Sequence, residues 1–548
     1  MNRRAFLQTG LSATAGLLVG FKLPAQVTNA QAPNAGVTNV AQTKLNAYIH
    51  IGTDESVTLM IDKAEMGQGT VTSLSQLLVE ELELDWAKFR TEFPPVAREF
   101  GFMQGVFGSQ SIRVSYVPLR RAGATAREML IQAAANRWKV DASQCRAEKG
   151  AVINTATSAR LTYGNLVTDA ARLTPPKNVT LKDAKQFKII GKSPRRLDTP
   201  EKVNGRAKFG IDAQVPGMVY AAVARCPVFG GKAASFDDSK AKTLPGYRRT
   251  VPISSGVAVV SDNTWSAIQG ARALTVKWDE GPNANLTSAA VSKLFAERTL
   301  QPGSEARKNG DVASGLSSAA KKVEAVYEVP FLAHATMEPL NATAHVTGTS
   351  CDVWASTQGQ TSAQAAAMRI TGLKAPQVHI HSMFMGGGFG RRSTDDFISE
   401  AVELSKAVGA PVKVTWSRED DMRHDIYRPA ALARLSAGLD ADGWPTAFKA
   451  TLASPSIMYR MSNGQAPANG MDRTSTEGIH DIEYEIPNIL VDYHWTEVGI
   501  PVFFWRAVGY TQNTFFMESF VDELAAQSGK DPVEFRRRLL AKSPRLLG

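Results

Sequence analysis

Cysteine is scarce in this 548-residue chain: Cys145, Cys226 and Cys351 are the only three, and they lie far apart. An odd, scattered set makes no disulfide framework, no zinc knuckle and no iron–sulfur ligand run. The Cys-x-x-Cys-His of a covalently attached haem is missing. So are the Gly-x-Ser-x-Gly elbow of serine hydrolases, the His-Glu-x-x-His of zinc proteases and the EF-hand calcium loop. The eight histidines form no convincing ligand set. No stretch beyond the N-terminal leader is long and apolar enough to span a membrane. Long basic runs are also lacking, the longest being Arg536–Arg538. The net charge of +10 is therefore read as a solvated basic surface, able to attract an acidic partner or an anionic cofactor, and nucleic-acid binding is not expected.

What is present is ordinary globular composition, 43% hydrophobic and 21% charged. At this length it can bury sizeable cores in several domains without staples. Arg3-Arg4 precedes an apolar, small-residue stretch, no acidic residue occurs before Asp54, and Ala30-Gln31-Ala32 suits a cleavage site. Residues 1–32 are read as a twin-arginine export signal, which places the expected product in the periplasm, folded before transport.

After a polar tether at 33–44, Tyr48–Ile51 and Val57–Ile61 alternate as two short strands around Asp54-Glu55. A helix with Val71, Leu74, Leu78 and Leu82 on one face follows, then an alanine-rich helix from about Leu119 to Trp138. Residues 33–174 are taken as a first α+β domain, closed by a linker at Pro175-Pro176. Residues 189–325 form a second mixed domain, with strands at Gly256–Val260 and Ala273–Trp278. Residues 326–548 form a third, ending in a helix opened by Asp531-Pro532-Val533-Glu534, with Asp as cap and Pro at the first helical position. The expected fold class is α+β and multidomain.

The segments that can carry chemistry are mostly glycine-backed. Glu65-Met66-Gly67-Gln68-Gly69-Thr70 runs into a helix, so its N–H groups and the positive helix end can face a ligand, or the glycines can simply turn the chain. Gly108-Ser109-Gln110-Ser111 offers hydroxyls and an amide to a pterin edge or phosphate, or is a plain helix cap. Met385-Gly386-Gly387-Gly388-Phe389-Gly390-Arg391-Arg392 has more glycine than a turn needs, and it lacks the lysine and Ser/Thr of a P-loop. Trp354–Gln358 closes a strand. His334 and Glu338 are one pair without further ligands, which suits a satisfied buried histidine and a helix-start carboxylate. Arg506, in Trp505-Arg506-Ala507-Val508-Gly509, can fork onto an anion or pair at the surface.

Together, in this order, these segments resemble the molybdopterin-binding large subunits of the xanthine oxidase family. The match is to the exported isoquinoline 1-oxidoreductase and aldehyde dehydrogenase branch, where Glu-Met-Gly-Gln-Gly precedes Gly-Gly-Gly-Phe-Gly as it does here. Arg195-Arg196-Leu197-Asp198 onward resembles the start of the family's small α/β hammerhead domain. The resemblance implies that Gln358 hydrogen-bonds an oxo group on molybdenum. It implies that Gly388, Phe389 and Gly390 line the metal and pterin, and that Arg506 lies near both. Gly67, Gln68 and Gly69, with Ser109, Gln110 and Ser111, would hold the pterin and its pyrophosphate. The implied cofactor is molybdopterin cytosine dinucleotide with molybdenum, and no protein side chain is expected on the metal. The implied reaction hydroxylates aldehydes or N-heteroaromatic carbons with oxygen from water. Electrons would pass to a separate subunit carrying two [2Fe–2S] clusters, and a c-type cytochrome is a plausible acceptor beyond it.

Two departures matter. The family's general base is a glutamate in Gly-x-Gly-Glu, and no such segment occurs here, so no catalytic residue is assigned. The chain is expected to be incomplete at its C-terminus, to have the rest supplied by another polypeptide, or to bind cofactor without turning over. Ser393 stands where purine-oxidising relatives carry an acidic residue, which argues against a purine substrate.

Overall fold

The computed structural model describes residues 42–548 apart from residue 463. The export signal expected at 1–32 and most of the tether lie outside the described residues. The described chain divides into two compact units: 42–218, 341–387 and 392–413 in the first; 219–340, 388–391 and 414–548 in the second. The Gly-rich segment thus leaves the first unit after Gly387 and rejoins it at Arg392.

In the first unit, Ile49–Gly52 and Val57–Met60 pair antiparallel, as their alternation predicts. Gln42–Asn46 adds a further strand where the sequence suggested tether. The Thr70–Leu82 helix buries Val71, Leu74, Leu78 and Leu82 in the core of this unit. Its partner runs from Ser111 to Trp138, eight residues earlier than the expected start at Leu119, and contains Pro118. Proline removes only its own N–H and strains one carbonyl behind it, and the packing of a long helix absorbs that loss. The two helices meet at Gly123, where a Cβ would lie 2.6 Å from Leu78 O. The later part of this unit is a sheet of Asn341–Val346, Cys351–Ala355 and Val378–Ser382. Gln360–Thr371 and Asp396–Val408 are its helices.

The expected linker is not a free tether. Glu80 and Glu81, both buried on the Thr70–Leu82 helix, hold it down. Glu80 Oε2 accepts the backbone N–H groups of Lys188 (2.9 Å), Ile189 (2.6 Å) and Ile190 (3.1 Å), and Oε1 accepts Lys182 Nζ at 2.8 Å. Glu81 takes Arg120 Nε at 2.8 Å and Arg127 Nη1 at 3.2 Å. Breaking a buried pair from one side leaves the other charge stranded. Glu81→Ala is therefore expected to cost about 3–5 kcal/mol, read as a fall in the denaturant midpoint of chemical unfolding.

The second unit has an antiparallel sheet of Val219–Ala224, Gly256–Ser261 and Tyr247–Ile253, with the Thr264–Ala273 helix against it. A five-stranded sheet runs in the order Ser304–Asn309, Asn488–Trp495, Pro445–Ser454, Ala431–Leu439, Lys321–Val329. The Tyr510–Gln527 helix packs Phe516, Met517, Phe520 and Leu524 into the core that this sheet shares. Asp531 caps the Pro532–Leu539 helix through the N–H groups of Val533 and Glu534, as the sequence predicts. Mixed helices and sheets bear out the α+β expectation. Among the described residues no helix is long and apolar enough to cross a membrane.

Candidate functional site

The Glu65–Thr70 loop takes the turn alternative that the sequence left open. Gly67 (φ 103°) and Gly69 (φ 93°) adopt left-handed backbone, as a tight turn into a helix requires. Their N–H groups do not point outward unpaired. The fully buried Glu65 carboxylate folds back and accepts Gly67 N (2.8 Å), Gly69 N (3.0 Å) and Val71 N (3.2 Å). An internal anion thus occupies the positive end of the helix, the place the sequence reading gave to a ligand. Gln68 Nε2 donates to Ala64 O and Gln68 Oε1 accepts Met66 N, so this exposed amide braces its own loop. The loop is a rigid platform already satisfied from within.

Arg196, from the Arg195–Asp198 segment, locks the platform. It donates to Glu65 Oε1 (3.2 Å), Gly67 O (2.7 Å) and Asp198 Oδ2 (2.7 Å). Lys202 Nζ reaches the same Asp198 oxygen at 2.6 Å. Burial pushes the Asp198 carboxyl up, but these two cations and their hydrogen bonds outweigh it and bring its pKa from 3.8 down to about 2. A depressed carboxylate stabilises the fold above its unfolded pKa and loses that contribution as pH falls through the folded value. Asp198 should therefore contribute about 2 kcal/mol above pH 4, lost between roughly pH 4 and pH 2. The difference in stability between wild type and Asp198→Asn, followed across that interval, checks the sign: it should shrink towards acid.

Gly108 (φ 61°) and Ser109 (φ 52°) are both left-handed, and Gly108, Ser109 and Gln110 are exposed. The Ser-rich cap is not one: Gln110 stands at the cap position, and its side chain makes no capping bond to the 28-residue helix that starts at Ser111. That end is open to a hydrogen-bond acceptor.

Gln358 is buried at the end of the Cys351–Ala355 strand. Its amide Nε2 donates to Val106 O at 3.0 Å, its backbone C=O accepts Val106 N at 2.8 Å, and its backbone N donates to Arg392 O at 2.9 Å. Arg392 is wholly buried, with Nε on Gly387 O (2.9 Å) and Nη1 on Ser356 O (3.2 Å). Met385 N donates to Glu65 O, and Met385 packs with Ala64 and Val106. The first unit therefore brings together the Glu65–Thr70 loop, Val106, Gln358 and the two flanks of the Gly-rich segment.

The second unit brings together Phe389, Gly390 and Arg506. Arg506 N donates to Phe389 O at 2.8 Å. A Cβ on Gly390 (φ 113°) would sit 1.9 Å from Phe504 O, so only glycine fits. Phe389 (φ 56°), Ala507 (φ 69°) and Val508 (φ 52°) are non-glycine residues in left-handed backbone, each at a cost of about 1–3 kcal/mol. Such strain persists only where the surroundings over-determine it. The Arg506 side chain is exposed and makes no ion pair or hydrogen bond among the described residues.

His334 is the satisfied buried histidine that the sequence suggested: Nδ1 lies 2.9 Å from Asp425 Oδ2 and Nε2 lies 3.0 Å from Phe504 O. Glu338, expected at a helix start, is instead buried in an irregular stretch before the Asn341–Val346 strand. Among the described residues no group of three or more His, Cys, Asp or Glu side chains could hold a metal ion.

Two family models, each a molybdopterin cofactor-binding domain, match residues 20–215 and 297–540. The chain is 30% identical to the isoquinoline 1-oxidoreductase subunit beta of Brevundimonas diminuta, over all of this chain and 76% of that protein. The chain belongs to the molybdenum-binding subunits of the xanthine oxidase family. This molybdenum-binding subunit is also 27% identical to a membrane-bound aldehyde dehydrogenase of Gluconacetobacter polyoxogenes, over all of its own length and 73% of the relative, whose name specifies pyrroloquinoline quinone. In fold it is similar to the aldehyde oxidoreductase of Desulfovibrio gigas, with a TM-score of 0.52 and 20% identity over 68% of this chain and 46% of that one. The subunit thus spans about three quarters of the two relatives and less than half of the solved chain.

Sequence reasoning missed Glu65, Arg196 and Arg392 in the first unit and Asp425 in the second. Glu65 stood inside a motif already read for its glycines. The adjacent arginines Arg391-Arg392, both buried, and Arg195-Arg196, of which Arg196 is half-buried, were the available signal for anchors beside glycine loops.

Proposed function

We propose that this chain is the cofactor-binding subunit of an oxidoreductase that hydroxylates aldehydes or N-heteroaromatic compounds with oxygen from water. The observation that carries the reading is the exposed Arg506 guanidinium, without a partner among the described residues and fixed through its backbone to Phe389 in the strained Gly-rich segment of a molybdopterin-binding family member. Each unit by itself offers groups that suit an anionic ligand: in the second, a cation without a partner among the described residues; in the first, the helix start at Ser111 with hydroxyl and amide donors at Ser109 and Gln110.

Bound molybdenum would supply the redox chemistry and the activation of water. The protein's part is positioning. Gln358, braced by Val106, would present its amide to the metal's oxo group. Phe389 would set an apolar wall, and Gly388 and Gly390 would let backbone approach closely. Arg506 would hold negative charge on the cofactor. Ser109, Gln110 and Ser111 would take the pyrophosphate, while Gly67, Gln68 and Gly69 would supply shape more than donors, because Glu65 already holds two of their N–H groups. The finer parts of the reading are a cytosine dinucleotide cofactor, a small partner with two [2Fe–2S] clusters, a c-type cytochrome as acceptor, and a periplasmic location reached by the twin-arginine route.

A second reading is a chain that by itself binds cofactor without turnover, the general-base glutamate of Gly-x-Gly-Glu being found nowhere in residues 1–548 and a longer or partner polypeptide being able to supply it. The two separate on one experiment. The chain is co-expressed with its iron–sulfur partner and assayed for dye reduction with aldehydes and isoquinoline in ¹⁸O-labelled water. Label in the product supports the enzyme. Bound molybdenum without reduction of dye supports the binding protein.

A further inference from the structure

We infer that Asp425 is a positioning residue that holds Phe389 and Arg506 in place for the cofactor; the inference rests on the functional reading above and deepens it. The case starts from strain. Phe389, Ala507 and Val508 are held in left-handed backbone on two segments joined by the Arg506 N–H···O=C Phe389 bond. Each segment also has bonds of its own, such as Val508 N to Trp505 O at 2.7 Å and Arg391 N to Gly388 O at 2.9 Å, but these fix a turn internally, and strain on both segments persists only where a further restraint fixes one against the other.

The Asp425 carboxylate supplies it. Its side chain is 1% exposed. Oδ1 lies 2.6 Å from Arg391 Nε as an ion pair and accepts Ile426 N at 2.7 Å. Oδ2 accepts the backbone N–H of His334 and lies 2.9 Å from His334 Nδ1. Through Arg391 the carboxylate grips the residue directly after Gly390. Through His334, whose Nε2 lies 3.0 Å from Phe504 O, it grips the residue two before Arg506. Phe504 O is also the atom against which Gly390 packs. The two restraints therefore converge on the same contact from opposite sides. Arg391, His334 and Asp425 are all nearly solvent-free, where an ion pair is weakly screened and its geometry is fixed. Burial pushes the Asp425 carboxyl up, but the His334 bonds and the Arg391 charge outweigh it and keep it ionised. None of these three side chains has to touch the cofactor to set its seat.

The test is amide hydrogen exchange on wild type and Asp425→Asn, with bound molybdenum measured on the same preparations. Asn keeps the shape and loses the charge. The expected result is exchange roughly tenfold faster in peptides covering 386–391 and 503–510, with the Ala431–Leu439 and Pro445–Ser454 strands unchanged and bound molybdenum reduced. Should the variant fail to fold, Arg391→Lys, which keeps a buried cation and loses the fork, is expected to give the same local pattern. Exchange raised across the whole unit, or not raised at all, overturns the proposal. Local loosening with molybdenum fully retained overturns it too, because the clamp would then not serve the cofactor. A wild-type chain that holds no molybdenum, with its clamp intact by exchange, defeats the functional reading and the positioning role with it.

Discussion

Gly390→Ala is expected to empty the cofactor site and to destabilise the second unit by about 3–5 kcal/mol. The added methyl would lie 1.9 Å from Phe504 O, far inside van der Waals contact, at a φ of 113° that an L-residue adopts only under strain. Neither neighbour can yield cheaply. Phe504 O is pinned by His334 Nε2, and the following Arg391 is pinned by Asp425. The chain must break the Arg506–Phe389 bond or expel the segment, and either outcome moves Phe389 and Arg506 apart. Calorimetry of the purified variant reads the stability loss, and its molybdenum content reads the site. Gly388→Ala, on the same stretch, provides the comparison at a second glycine.

Glu65→Ala is the other large effect expected. Removing the carboxylate takes the acceptor from the N–H groups of Gly67, Gly69 and Val71 around a position that is 0% exposed, while Arg196 keeps Asp198 and Gly67 O. Each unsatisfied buried donor costs about 1–3 kcal/mol, and partial rescue by water brings the expected total to about 3–5 kcal/mol. The outcome separates two roles for the loop. If Glu65 is purely a brace, Glu65→Gln restores part of the stability, since its amide oxygen can still accept. If a ligand's anionic group is meant to sit there, Glu65→Ala would bind phosphate or sulfate more tightly than wild type. The account predicts no such gain, because the seat is internal. Thermal shifts in a phosphate titration distinguish the two.

These expectations show where sequence carries structure and where it stops. The Thr70–Leu82 helix was legible because four apolar residues at helical spacing leave one face to bury. The Pro532–Leu539 helix was legible from its cap, since Asp-Pro followed by Glu solves the first-turn donor problem locally. Local chemistry also misled. Gly67 and Gly69 do release the backbone as read, but which acceptor takes their N–H groups is not local information. Periodicity cannot show that Glu65 turns inward, nor that Arg196, 131 residues away, meets it. The same holds for Asp425 and His334, which are 91 residues apart. The helix was expected from about Leu119, but it starts at Ser111, where exposed residues 112–114 offer no buried apolar face for periodicity to find. The linker at Pro175-Pro176 was composed like a tether, and its anchors, Glu80 and Glu81, sit on a helix a hundred residues earlier.

One measurement bears on the whole account: the metal and nucleotide content of the chain purified from cells that make molybdopterin. Stoichiometric molybdenum, with CMP released by acid and both lost in Gly390→Ala, is the predicted result. A folded chain carrying neither metal nor pterin under those conditions would contradict it.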